Sequence, residues 1–98
     1  MKSVISGINK LFENRVRLGI MAILIVNDSY DFNNLKETLG VTDGNLASHL
    51  RALEEHELLR VNKQFIGKKP NTSYSVTEKG QKLFRIHLKA LEELIRTQ

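Results

Sequence analysis

Between Asp31 and Leu53, two stretches with helical apolar spacing are joined by only about three residues. That short join constrains the fold more than any other part of the chain. Asp31 is placed to N-cap a helix whose Phe32, Leu35 and Leu39 recur at i, i+3 and i+7, and Gly40 is placed to end it in a left-handed conformation. After Val41, Thr42 is placed to cap a second helix in which Leu46, Leu50 and Leu53, at i, i+4 and i+7, form a narrow apolar stripe. Two helices joined this tightly, with glycine in the turn, describe a helix-turn-helix over about residues 31–56.

The flanking segments complete a pattern. Val4, Ile5, Ile8, Leu11 and Phe12 have helical spacing weakened at Gly7, which predicts a short leading helix or arm. A longer helix from about Asn14 to Val26 has two apolar sides, Val16, Ile20, Ile23 and Leu24 on one and Leu18, Met21 and Ile25 on the other. Tyr30 and Phe32 fit either a very short strand or the anchor of a turn. From Leu58 to Ile66 the pattern becomes alternation, and a second extended run follows at Ser73–Val76. These segments predict a hairpin over about residues 58–76 with Gly67 through Asn71 as its tip. Thr77 then caps a last helix to about Arg96, again with two apolar sides: Phe84, Leu88, Leu91 and Ile95, and Leu83, Ile86, Ala90 and Leu94. The fold class is mainly α with a small β-hairpin, a winged helix-turn-helix with an added C-terminal helix. With 98 residues and 41% hydrophobic content, the expectation is one domain over residues 1–98.

Charge is more informative in its distribution than in its sum. Fifteen Lys or Arg against eleven Asp or Glu leave +4, which alone says little about partners. Between Glu57 and Glu78, however, no acidic residue occurs, while Arg60, Lys63, Lys68 and Lys69 fall inside the window. The hairpin is therefore a purely cationic element, with Arg60 and Lys63 at alternating positions of its leading strand and Lys68 and Lys69 at its tip beside Gly67 and Pro70. On the helix before it, with the leucines inward, Gly44, Ser48, Arg51 and Glu55 point outward, flanked by Asn45 and Ala52, and His49 lies at the side.

The run DFNNLKETLGVTDGNLASHLRALEEHELLRVNKQFIGKKPNTSY from Asp31 to Tyr74, followed by SVTEKG and preceded by VRLGIMAIL, resembles the small winged helix-turn-helix transcriptional regulators of the MarR/ArsR-like group. The resemblance covers most of the chain. It implies a DNA-binding regulator whose second helix of the motif enters the major groove amino-terminal half first. Gly44, Asn45 and Ser48 would then reach base edges, with Arg51 on guanine or phosphate. Thr42 caps the helix, and Asp43 could accept from cytosine, assist the helix start or repel the backbone. His49 matches a Ser-x-His-Leu-like phrase of the group, with Ala47 where ArsR-type members carry serine. Lys63, Lys68, Lys69 and Asn71 would serve phosphates or the minor groove, with Thr72 able to add a neutral bond. One departure stands out: Glu57 occupies the position where the group usually has glycine, which predicts a different end to the helix.

Double-stranded DNA and a second copy of the chain are the expected partners. The doubled apolar sides motivate a homodimer through Leu18, Met21, Ile25, Leu83, Ile86, Ala90, Leu91 and Leu94, without deciding which stripe is used. The alternative is a winged helix that binds a protein partner or RNA, its cationic hairpin serving only solubility or assembly. No cofactor is implied and no residue singles out an effector. Enzymatic motifs are lacking. His49 and His56, seven residues apart, stand about 10 Å apart along a helix, too far to share a metal ion. His56 and His87 are expected in partly exposed polar packing. The apolar run from Val16 to Val26 is too short to span a bilayer, and a cytoplasmic setting suits a chain with no cysteine and no secretory signal.

Overall fold

The computed structural model describes residues 5–96. A 3-10 turn at Lys10–Phe12 leads to helix α1 (Arg15–Leu24), strand β1 (Tyr30–Asp31), helices α2 (Phe32–Leu39) and α3 (Asp43–Glu55), strands β2 (Leu59–Ile66) and β3 (Lys69–Val76), and helix α4 (Glu78–Arg96). In place of a leading helix there is a turn followed by that single 3-10 segment; Val4 lies outside the described residues. The capping side chains act locally as their types dictate. Asn14 Oδ1 accepts from the amides of Val16 and Arg17, Asp31 from Asn34 and Thr42 from Asn45, so each of these three helix starts has at least one orphan donor satisfied by its cap. Helix α2 ends at Gly40 with φ 65°.

The short β1 pairs with β3, giving a three-stranded antiparallel sheet in the order β1-β3-β2. Register Ile66↔Lys69 closes the hairpin with only Gly67 and Lys68, so the strands run further toward the tip than the turn residues suggested, and Lys69 and Pro70 belong to β3. Gly67 alone in this loop has positive φ, 65°, as a type II′ turn requires at its first central residue. Pro70 sits opposite Phe65, on a stretch of β3 that pairs only with β2. Its missing N–H therefore costs no ladder bond on the open side. Arg60 and Lys63, three residues apart, take opposite faces of the strand.

The core sits where α1, α3 and the base of the hairpin meet. Ile20, Met21 and Leu24 of α1, Leu35 of α2, and Leu46 and Leu53 of α3 are all 0% exposed. Helix α1 is central, packing against α2, α3 and β3. Its two apolar sides are thus largely covered within one protomer, and Met21 belongs to the core instead of a dimer face. On α4 the inward residues are Gly80, Phe84, His87 and Ala90. Ala90 lies under Gly7, where an added Cβ would come within 3.0 Å of it, so it too is withdrawn from any dimer face. Ile86, Leu88 and Ile95 of α4 remain exposed, while Leu83, Leu91 and Leu94 are half-buried.

His87 is buried, not partly exposed: its ring lies 5.2 Å from that of Phe12, and its Nδ1 accepts from the Asn9 amide at 3.0 Å. His56 stays at the surface, its Nδ1 donating to the Ala52 carbonyl at 2.8 Å. Helix α3 ends in the left-handed conformation that ordinarily favours glycine. Glu57 adopts φ 62°, its amide donates to Glu54 at 2.8 Å and that of Leu58 to Leu53 at 3.0 Å. These two bonds make a Schellman motif with the apolar Leu53 and Leu58 packed across it, both 0% exposed. Burial of that leucine pair outweighs the left-handed strain at Glu57. Thr77 locks the junction: its hydroxyl donates to the Glu57 carbonyl at 2.7 Å and accepts from the Gly80 amide at 2.9 Å, while its own amide donates to Leu58 at 3.0 Å. Gly80 lies so close to the Leu58 carbonyl that a Cβ there would overlap the oxygen.

Two outcomes follow from these packing relations. Glu57→Gly relieves the left-handed backbone and loses only the exposed 3.8 Å ion pair to Lys79; it raises stability by about 1 kcal/mol, or about 4–8 °C in Tm, read by thermal denaturation. Burial lowers the pKa of His87 from the ordinary 6.5, against an upward pull from Glu13, and burial with the Arg17 charge lowers that of His49. The unfolded chain therefore binds more protons than the folded one, so the stability from these two groups is complete above 6.5 and lost as pH falls through their lowered values. Melts at pH 7.5 and pH 5 should show a drop in Tm that is smaller in His87→Gln; equal drops would contradict the assignment.

Candidate nucleic-acid interface

Helix α3 and the hairpin form the two walls of a groove of about 590 Å³. Arg51 and Glu54 of α3 face Val61 and Lys63 of β2, with Thr72 and Tyr74 of β3 behind them. The alternation of the strands selects these side chains, since register pairs Val61 with Tyr74 and Lys63 with Thr72 on one face of the hairpin. Arg51 and Lys63, placed on separate elements in the sequence, thus line a single groove. Burial, with the Glu54 carboxylate adding to it, raises the pKa of Tyr74 above 10.0, so its phenol remains a donor at neutral pH.

The exposed edge of α3 is continuous with this groove. Thr42, Asp43, Gly44, Asn45 and Ser48 are all exposed, and no heavy atom lies within 4 Å of where a Gly44 Cβ would stand. Small side chains on an open helix edge permit close approach of another backbone. Asp43 has a partner that sequence periodicity could not assign: its Oδ1 lies 2.8 Å from Lys36 Nζ of α2. Both groups are largely exposed, so the pair contributes little stability, about 0–1 kcal/mol. Its effect is to neutralise the one carboxylate at the amino end of α3.

His49 is tied to the body of the protein. Arg17 of α1 donates from Nε to the Leu11 carbonyl at 2.6 Å and from Nη1 to His49 Nδ1 at 3.0 Å. A guanidinium only donates, so Nδ1 is the acceptor and the imidazole is neutral with its proton on Nε2. The burial and the Arg17 charge that lower its pKa favour that same state. Arg17 is the positioning residue that reading along the chain missed; the signal was a charge interrupting the most apolar run, Val16 to Val26.

At the far end of the hairpin, Lys68 occupies the turn and Lys69 the first position of β3, both exposed. Asn71 is half-buried and lines a smaller notch of about 230 Å³ with Phe32, Asn33 and Pro70, which adjoins the α3 groove at Thr72 and Tyr74. Among the described residues, no three His, Cys, Asp or Glu side chains stand close enough to hold a metal ion. Nor is any helix among them long and apolar enough to cross a membrane.

Known proteins share this fold. Residues 16–95 match the family model for a winged helix DNA-binding domain. An uncharacterized protein of Methanocaldococcus jannaschii is 36% identical over 85 residues, spanning 87% of this chain and 92% of that protein. Among solved structures, the transcriptional regulator homologue protein from Pyrococcus horikoshii has a TM-score of 0.85 at 31% identity, covering 96% of this chain and 91% of that one. The S. aureus MepR–DNA complex matches with a TM-score of 0.74 at 18% identity, covering 90% of this chain and 72% of that one, a likeness of fold. The chain belongs to the winged helix DNA-binding domain family, and its structural neighbours are MarR-family transcriptional regulators.

Proposed function

We propose that this protein is a transcriptional regulator that binds an inverted-repeat operator as a homodimer, with α3 in the major groove and the hairpin laid on phosphate and minor groove. The observation that carries this reading is the groove in which Arg51 and Lys63 stand on opposite walls, at the foot of a hairpin tipped by Lys68 and Lys69. A cation on each wall and a cationic tip fit a polyanion that runs past both elements. Asn45 and Ser48, on the open edge of α3, read base edges; Gly44 admits the backbone, and Thr42 and the neutralised Asp43 hold the helix start against it. His49, held by Arg17, sets the depth of α3, and Asn71 adds a neutral contact beside the tip.

A second copy covers what α1 and α4 leave open. Leu18, Ile25, Leu83, Ile86, Leu91 and Leu94 keep accessible surface, and two-fold symmetry would set the recognition helices about 34 Å apart. Light scattering at micromolar concentration should give twice the mass of one chain. A monomer would count against the inverted-repeat arrangement.

Fluorescence anisotropy with random-sequence duplex DNA across a salt series tests the interface. The expected result is a steep fall of log affinity with log salt for the native chain. The slope should be shallower by about 2 in Lys68→Glu, Lys69→Glu, as the loss of two phosphate contacts requires. Absence of binding at low salt would overturn the reading in favour of a protein or RNA partner.

A further inference from the structure

The face of the hairpin that lines the groove continues past Lys63 to a residue the phosphate-binding role does not use. Val61, Lys63 and Phe65 alternate onto one face of β2, and their cross-strand partners are Tyr74, Thr72 and Pro70. Phe65 thus lies two residues, about 7 Å, beyond Lys63 toward the tip. It is 73% exposed, and Ile66 on the opposite face is 62% exposed. Nothing in the hairpin requires an aromatic ring there, because the register is closed by the Gly67–Lys68 turn and the cross-strand ladder.

The surroundings of Phe65 define the chemistry of what would cover it. Lys63 precedes it on the same face, Lys68 and Lys69 follow round the turn, and no acidic residue occurs between Glu57 and Glu78. An apolar ring opposite Pro70, with Lys63 before it on the same face, Lys68 in the turn beyond and Lys69 beside Ile66 on the other face, is complementary to a surface with anionic rims and an apolar interior. The minor groove of duplex DNA is such a surface, and exposed Phe or Pro side chains enter it by parting a base step between flanking phosphate contacts.

We propose that Phe65, seated against Pro70, is an apolar wedge that enters the minor groove beside each half-site, so that the deformability of one base step becomes a determinant of operator choice. The proposal rests on the DNA-binding reading above and adds a specificity residue to it. Pyrimidine–purine steps unstack most easily, so the wedge favours TA or CA/TG at a fixed distance from the bases read by α3. The lysines supply affinity without sequence, and the ring supplies the preference.

In vitro selection from a random duplex library separates these roles, run in parallel with the native chain, Phe65→Ala and Phe65→Leu. The native chain should enrich a half-site core together with a flexible flanking step. Phe65→Ala should keep the core and lose the flank, its preference for a TA over an A-tract flank falling by about tenfold. Phe65→Leu should retain most of that preference, because apolar bulk is what parts the step. A duplex with 2-aminopurine at the selected step should brighten with the native chain and stay dark with Phe65→Ala. Since the side chain is exposed, the variant's Tm should match the native value, which shows the hairpin is intact. Identical flanks for the native chain and Phe65→Ala, with no 2-aminopurine response, would overturn the wedge and leave the DNA-binding reading standing. Failure of the native chain to select any duplex would overturn both.

Discussion

Thr77 holds three elements in one place, and the geometry of the face formed by α3 and the hairpin depends on it. Its hydroxyl donates to the carbonyl of Glu57 at the end of α3 and accepts from the amide of Gly80 in the first turn of α4, while its amide donates to the Leu58 carbonyl at the root of β2. Each bond contributes only about 1 kcal/mol net. Their joint effect is directional: with the chain reversed at Glu57 and the root of the hairpin bonded to the cap of α4, the angle between α3 and the wing is set. The leucine pair Leu53 and Leu58, fully buried beneath the Schellman turn, makes that angle costly to change. The groove between Arg51 and Lys63 is the consequence at the surface.

A second set of bonds places α3 relative to the other side of the molecule. Arg17 spans from the Leu11 carbonyl to His49, joining the 3-10 turn, α1 and α3 through one guanidinium. Lys36 reaches Asp43 from α2. The helix is thereby tied to α1 through its flank and to α2 through its first turn, and its remaining edge is left to small and amide side chains. Glu54 is the exception inside the groove: a carboxylate beside Arg51 and Tyr74 that opposes an anion settling toward the carboxyl end of α3. The cationic surface is therefore graded, strongest on the hairpin, with Arg51 as the one cation on α3.

How much of this was legible in the sequence follows from the range of each interaction. The helix starts at Asp31 and Thr42 and the end at Gly40 depend on contacts within a few residues, and the residue types announced them. The outward edge of α3 followed from its leucine spacing. The second apolar side of α1 did not: periodicity shows that Met21 needs a cover, and only the tertiary fold shows that the core supplies it. Ala90 under Gly7 is the same case. Pro70 and Asn71 looked like turn residues, but β3 has an open edge at that height, so proline fits the strand. Glu57 was read by its intrinsic backbone preference, which burial of two leucines overrode. The Arg17–His49 and Lys36–Asp43 contacts join separate elements, and no local pattern encodes such pairs.

The central claim is that α3 and the hairpin act as one DNA-reading face. Amide chemical-shift mapping by NMR, with a selected duplex titrated into the labelled protein, tests it most directly. The account requires shifts at Thr42 to Arg51 and at Lys63 to Asn71 that move together with a single affinity, while the exposed α4 residues Lys89 and Arg96 stay still. Shifts confined to α4, or to only one of the two elements, would contradict it.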